Sequence, residues 1–185
     1  LVALNEREFL VLERNNRGLG VDATSASPNK KVFRVDLVGA SDVTGIDLDS
    51  APAGSFTAVA KTTAPWLDLA AGTTLAHPSL SALGGVSPEK WEGLAIGPRL
   101  ADGSYLVLAG TDNDYSVTQN GSSVQFDVYF KPSGSASASR IQCDIGTFAN
   151  CSVVNVDGTP GGAVPAGFDF SGYALIPGVL HAYKA

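Results

Sequence analysis

The chain has 185 residues, 44% of them apolar and 16% charged, with a formal net charge of −6. That balance excludes a disordered polymer, which lacks the apolar side chains for a core, and disfavours a nucleic-acid backbone as partner. No uninterrupted apolar run reaches the length of a membrane-spanning helix, and the 21 glycines and 10 prolines predict short strands joined by many turns.

The chain opens on Leu1-Val2-Ala3 with neither a methionine nor a signal peptide, the form of a processed product or of a segment of a longer protein. Phe9-Leu10-Val11-Leu12 predicts a buried strand. It runs into Glu13-Arg14-Asn15-Asn16-Arg17, where Arg14 offers a planar fork for a phosphate and Glu13 a ligand or acid–base group. A Glu–Arg pair bracing neighbouring units is the alternative reading of those residues. Gly18-Leu19-Gly20 lacks the third glycine and the lysine of a nucleotide loop. Val32 to Val38 predicts the next strand. Residues 64–90 are less strand-like, with Pro78 and Gly84-Gly85 in a loop and a short helical turn near 79–83. His77 and His181, the two histidines of the chain, have no suitably spaced second ligand, and this assigns them structural roles. No Gly-x-Ser-x-Gly elbow occurs, and no serine falls in a Ser/His/Asp set.

The stretch 92–131 reads as a four-stranded up-and-down meander. Gly93 to Pro98 alternates, Asp102-Gly103 signals a hairpin turn, and Tyr105-Leu106-Val107-Leu108 suits a buried strand. Tyr115 to Gln119 follows the polar Asp112-Asn113-Asp114. Asn120-Gly121 is a strong hairpin signal, and Val124 to Phe130 alternates apolar with polar residues. Antiparallel pairing brings Glu92 and Asp112-Asn113 to one rim, where carboxylate and amide oxygens suit a hard divalent cation, calcium being the expected ion. The competing reading is a tight turn, which Asp and Asn favour for backbone reasons.

Phe9 to Leu12 is echoed by Tyr105 to Leu108 at an offset of 96 residues, and Val32 to Val38 by Val124 to Phe130. That spacing fits two propeller blades of about 40–50 residues. By the same analogy Phe9 to Leu12 is the second strand of its blade, with the first before residue 1. Residues 132–170, rich in Gly, Ser, Ala and Pro, read as a surface excursion. Within them Cys143 and Cys151 are close enough for a disulfide, which implies export; two unpaired thiols in a cytosolic protein are the alternative reading. Asn120-Gly121-Ser122 and Asn150-Cys151-Ser152 match the glycosylation sequon. Val179 to Tyr183 is expected to pair back into the sheet as the last strand.

Taken in order, Phe9–Arg14, Lys31–Leu37, Lys90–Ile96, Leu106–Asp114 and Leu175–Tyr183 resemble the esterase-like, phytase-like domain family, in the arrangement of its C-terminal half. The resemblance implies an all-β, propeller-like fold of antiparallel four-stranded blades, of which residues 1–185 form one partial domain. A companion polypeptide or an N-terminal portion would complete it. It also implies a secreted or periplasmic phosphoesterase that hydrolyses a small phosphorylated substrate with the help of a divalent metal. Glu13 and Arg14 are then the candidate catalytic or substrate groups, and Glu92, Asp112 and Asn113 the candidate metal ligands. A non-catalytic calcium-stabilised binding propeller and a lactonase-type hydrolase are the alternatives.

Overall fold

A computed structural model describes residues 1–20, 27–112, 117–119, 124–132, 139–155 and 159–184. Strands β1 (Val2–Ala3), β2 (Glu8–Arg14), β3 (Lys30–Asp36) and β4 (Leu67–Asp68) form one antiparallel sheet in chain order. Leu10 and Val32 are buried on one face of it, as period-two alternation requires. The place expected for a strand before residue 1 is taken by β1, whose Val2 faces Leu10.

Two one-turn helices follow, α1 (Gly72–Leu75) and α2 (Pro78–Ser81). Pro78 opens α2 where its missing N–H costs nothing, so the expected helical turn lies a residue or two earlier than read. They lead into β5 (Trp91–Arg99) and β6 (Tyr105–Thr111), joined by the Asp102-Gly103 turn. Gly103 has φ +90° there, and Asp102 accepts the Ser104 N–H at 3.1 Å.

The predicted meander over 92–131 does not form one sheet. After β6 come β7 (Val117–Gln119), β8 (Gln125–Lys131), β9 (Ser139–Asp144), β10 (Ser152–Val154), β11 (Pro160–Ala163), β12 (Ala174–Leu175) and β13 (Leu180–Lys184). β13 pairs with β6, giving the order β13-β6-β5, while β7 and β8 join a second sheet ordered β11-β10-β9-β8-β12. The last strand therefore returns as expected, but it occupies the edge of β6 that β7 was expected to take. Five consecutive pairs, from Leu180–Gly110 to Lys184–Leu106, hold it there. The echo between the two chain segments consequently stops at the strands themselves: β3 pairs with β2, whereas β8 and β6 lie in different sheets.

Alternate residues of β8 serve two cores. Val128 and Phe130 join Leu10, Val32, Trp91, Val107 and Val179 in the main cluster. Tyr129 faces the other way, onto Ile141, Cys143 and Cys151. Phe148, Phe168, Phe170 and Tyr173 add aromatic contacts with centroids 4.5–5.5 Å apart. Residues 132–170 are thus more structured than their composition predicts, since they contain β9, β10 and β11. The Cys143–Cys151 disulfide is formed, with Cα atoms 4.1 Å apart. Asn150 of the second sequon donates to Asp144 at 2.6 Å; Asn120 lies outside the described residues. Replacing both cysteines by serine is expected to cost about 2.6 kcal/mol, the chain entropy released by opening so short a loop. Urea unfolding of the oxidised protein against the double variant measures it.

Candidate functional site

The ends of β2 and β3 and the start of β5 meet at one point. In the β2–β3 ladder Glu13 faces Lys31 and Arg14 faces Lys30. Beyond β2 the chain is tied down by its own amides. Asn15 donates to the Asn29 carbonyl at 3.1 Å, and the Asn29 N–H returns to Asn15 Oδ1 at 3.0 Å. The next turn docks on residues 87–89: Leu19 N–H donates to Ser87 O, and Glu89 N–H to Leu19 O, both at 2.8 Å. The glycines around Leu19 permit this approach. A β-carbon on Gly18 (φ +126°) would stand 2.6 Å from Ser87 O, and one on Gly20 2.7 Å from Glu89 Cβ. This segment is therefore a brace that carries Glu89 to the end of β2.

Arg14 sits at the centre of the cluster. Its Nη2 donates to Glu92 Oε1, its Nη1 donates to Asn16 Oδ1 at 2.9 Å, and Nη1 lies 3.9 Å from Glu89 Oε1. Glu92 reaches it because the β5–β6 register slips between Trp91 and Gly93, a bulge that re-aims one side chain. Arg14 thus links the sheet of β1–β4 to the sheet of β5, β6 and β13.

Lys30 is fully buried beside it. Its Nζ donates to the carbonyl oxygen of Asn15 and, at 3.1 Å, to Asn15 Oδ1. Burial, and then the neighbouring Arg14 charge, push its pKa from 10.5 down to about 8, with Glu89 pulling the other way. Between those two values the folded molecule holds fewer protons than the unfolded one, so stability rises with pH across the window. Below about 8 the cost of the buried charge is fully present. Urea unfolding is expected to show a rise of no more than about 1.4 kcal/mol per pH unit, absent in Lys30→Met.

On the outer side of the same strand ends lies a cleft of about 280 Å³ lined by Arg14, Lys31, Lys61, Asn15, Asn29 and Glu13. Lys61 is delivered by a segment that runs along β3, where Thr62 N–H donates to Arg34 O at 2.8 Å. Its ammonium lies 2.5 Å from Glu13 Oε2 and 3.9 Å from the centre of the Phe33 ring. Three cations and two amides thus face one carboxylate in a chain whose overall charge is −6.

Of the residues singled out in the sequence, Glu13 and Arg14 line this cleft, and Glu92 is bound to Arg14. Asp112 sits at the same end of the β5–β6 pair, its N–H donating to Lys90 O at 2.8 Å. Asn113 and Asp114 lie outside the described residues. The oxygen chemistry of Glu92 and Asp112 suits a hard cation. However, Glu92 is engaged by a guanidinium, and calcium takes about six to eight oxygens. Among the described residues no three His, Cys, Asp or Glu side chains group to hold a metal ion. The described donors alone therefore do not make a calcium cage.

Sequence reasoning missed Lys30, Lys31, Lys61 and Glu89. Lys30-Lys31 at the head of an apolar strand was the one local signal. Lys61 and Glu89 are placed by loop hydrogen bonds that leave no mark in composition.

Comparison with curated proteins and with solved structures returns no match. The sequence model of the phytase-like family, described as the esterase-like activity of phytase, matches residues 1–115. That span contains Arg14 and each residue bonded to it above, and it ends before the closing Leu175–Tyr183 stretch. With more than half of its 185 residues matched, the chain belongs to the phytase-like family.

Proposed function

We propose that this chain forms part of the substrate mouth of an exported, phytase-like phosphoesterase. The observation that carries the reading is the cationic cleft of Arg14, Lys31 and Lys61, set in an acidic chain. A phosphate ester would accept two parallel hydrogen bonds from the Arg14 fork, with Lys31 and Lys61 as point charges. Asn15 and Asn29 would orient the remaining oxygens. Glu13, held by Lys61, is placed at the cleft wall to exchange a proton with water or a leaving oxygen.

Glu92, Asp112 and Asn113 are the residues that would contribute to a divalent-cation site, calcium first among ions, with oxygens from beyond the described residues. Such an ion supplies positive field and an activated water for attack on phosphorus. The antiparallel four-stranded sheet β1–β4, in chain order, supports a blade of a propeller, completed by an N-terminal portion or a companion polypeptide. The disulfide supports an oxidising compartment, secreted or periplasmic, and none of the described helices is long and apolar enough to cross a membrane.

A second reading, a calcium-stabilised propeller that binds without catalysis, is favoured by one observation: Glu92 and Glu89 are both drawn to Arg14, which ties two sheets together. Turnover of phytate or an aryl phosphodiester by the intact protein, with and without calcium, separates the two. The expected result is calcium-dependent release of phosphate or phenol, together with weaker calorimetric calcium binding by Glu92→Gln. Calcium binding without hydrolysis of either substrate would establish the binding module instead. Equal binding by wild type and Glu92→Gln would remove Glu92 from the metal site.

A further inference from the structure

The Arg140 side chain leaves β9, in the second sheet, and ends against the brace that carries Glu89. Arg140 is 5% exposed. Its Nη1 donates to Gly20 O at 2.7 Å and its Nη2 to Asn155 O at 2.9 Å. Asn155 follows β10, whose Val154 pairs with Arg140 in the ladder. One planar fork therefore clamps the end of the β9–β10 hairpin to a carbonyl 120 residues earlier in the chain. β9 lies beyond residue 115, where the match to the family model ends.

What Gly20 touches gives this clamp its reach. The Gly20 backbone packs directly on the Glu89 side chain, for a β-carbon on Gly20 would stand 3.1 Å from Glu89 Cδ. Leu19, one residue earlier, exchanges backbone hydrogen bonds with Ser87 and Glu89. Glu89 is itself buried, and its Oε1 lies 3.9 Å from Arg14 Nη1. A buried carboxylate at that distance biases the direction of a guanidinium, because little water screens the pair. A continuous route of contacts thus runs from β9 to the cleft, through Arg140, Gly20, Glu89 and Arg14.

We propose that Arg140 is a positioning residue for the cationic cleft, holding Gly20 so that Glu89 keeps the Arg14 fork in its place at the cleft wall. What the cleft then binds rests on the phosphoesterase reading; the placement of Arg14 does not. Withdrawing the Arg140 guanidinium takes a donor from each of two carbonyl oxygens. The turn at Gly20 relaxes, and the Glu89 carboxylate packed on it moves as well. Arg14 keeps its bonds to Glu92 and Asn16 but loses the fixed charge on its inner side. Arg140→Lys keeps the charge and loses the clamp, because a point charge cannot span both carbonyls as the fork does.

The test follows the Nε–H magnetic resonance of Arg14 in isotope-labelled intact protein, assigned by its loss in Arg14→Lys. Each variant has its fold checked by circular dichroism. Arg140→Met should shift that resonance and speed amide exchange at Leu19 and Glu89. Gly20→Ala, which displaces Glu89 from the other side, should shift it too. Ile141→Ala removes a buried neighbour on the same strand; it weakens the second core without touching Gly20, and should leave the Arg14 resonance in place. Inorganic phosphate, titrated by calorimetry, should bind Arg140→Met about tenfold more weakly than wild type, the scale of one hydrogen bond to a charged group, and Ile141→Ala as tightly as wild type. If Arg140→Met does not fold, Arg140→Lys gives the same readings. An unmoved Arg14 resonance in the folded Arg140 variant, or an equal shift in Ile141→Ala, would overturn the proposal. Wild type that binds no phosphate would sink only the phosphate reading of the cleft, and the resonance would still decide the placement of Arg14.

Discussion

Arg14→Ala is expected to lower turnover or binding of a phosphate ester by two orders of magnitude or more, and to destabilise the fold at the same time. The first effect follows from the proposed phosphoesterase reading, in which Arg14 is the bidentate donor of the cleft. The second follows from withdrawing the guanidinium that lies against the buried Glu89 and bonds the half-exposed Glu92. Removing one member of a buried charge cluster costs about 3 kcal/mol or more, whereas the exposed Glu92 pair adds no more than about 1 kcal/mol. Arg14→Lys separates the two effects, because it keeps the charge between the sheets but loses the fork. Its urea midpoint should stay close to that of wild type while its affinity for an aryl phosphate falls. An alanine variant with wild-type stability and wild-type turnover would dismiss Arg14 from both roles.

Trp91→Ala carries the largest expected effect on stability. Trp91 is fully buried in the main core, and its Nε1 donates to Ser87 Oγ at 2.9 Å. Truncating a buried aromatic to alanine costs about 3–5 kcal/mol. Ser87 in turn donates to Leu69 O at 2.8 Å, so the indole is the end of a polar chain reaching back to β4. Trp91→Phe keeps most of the apolar area but drops the N–H, and is expected to cost about 1–2 kcal/mol from that bond. The difference between the variants in urea unfolding measures packing against hydrogen bonding. Equal losses in both would mean that the hydrogen bond, and not the volume, holds this corner.

The strands most visible in the sequence were those with strict alternation or a compact apolar run: β2, β3, β5, β6, β8 and β13. The disulfide was legible from spacing alone. The partition into sheets was not. A strand's two hydrogen-bonding edges are made of identical backbone, so nothing in Leu106 to Gly110 states whether β7 or β13 will pair there. β9 was hidden for a different reason, since Arg140 and Gln142 are buried polar residues. Arg140 is accommodated by carbonyl oxygens, Gly20 O at 2.7 Å and Asn155 O at 2.9 Å, which no hydropathy pattern reveals.

The candidate site was legible in part for similar reasons. Glu13 and Arg14 end an obvious strand, and Glu92 begins one. The partners that give them a role arrive from loops, and the 104-residue separation of His77 and His181 concealed that both rings face Ser79.

The pairing of β13 with β6 fixes an order of events during biosynthesis. Leu108 faces Ala182 across that ladder, so β6 must wait for about 70 further residues to be synthesised before its second edge is covered. Long-range closure of this kind folds slowly, and a nascent chain meanwhile offers the ribosome's surroundings a bare apolar strand. The same strand from a neighbouring copy satisfies the register equally well, which makes domain swapping the misassembly to look for when this protein is refolded at high concentration.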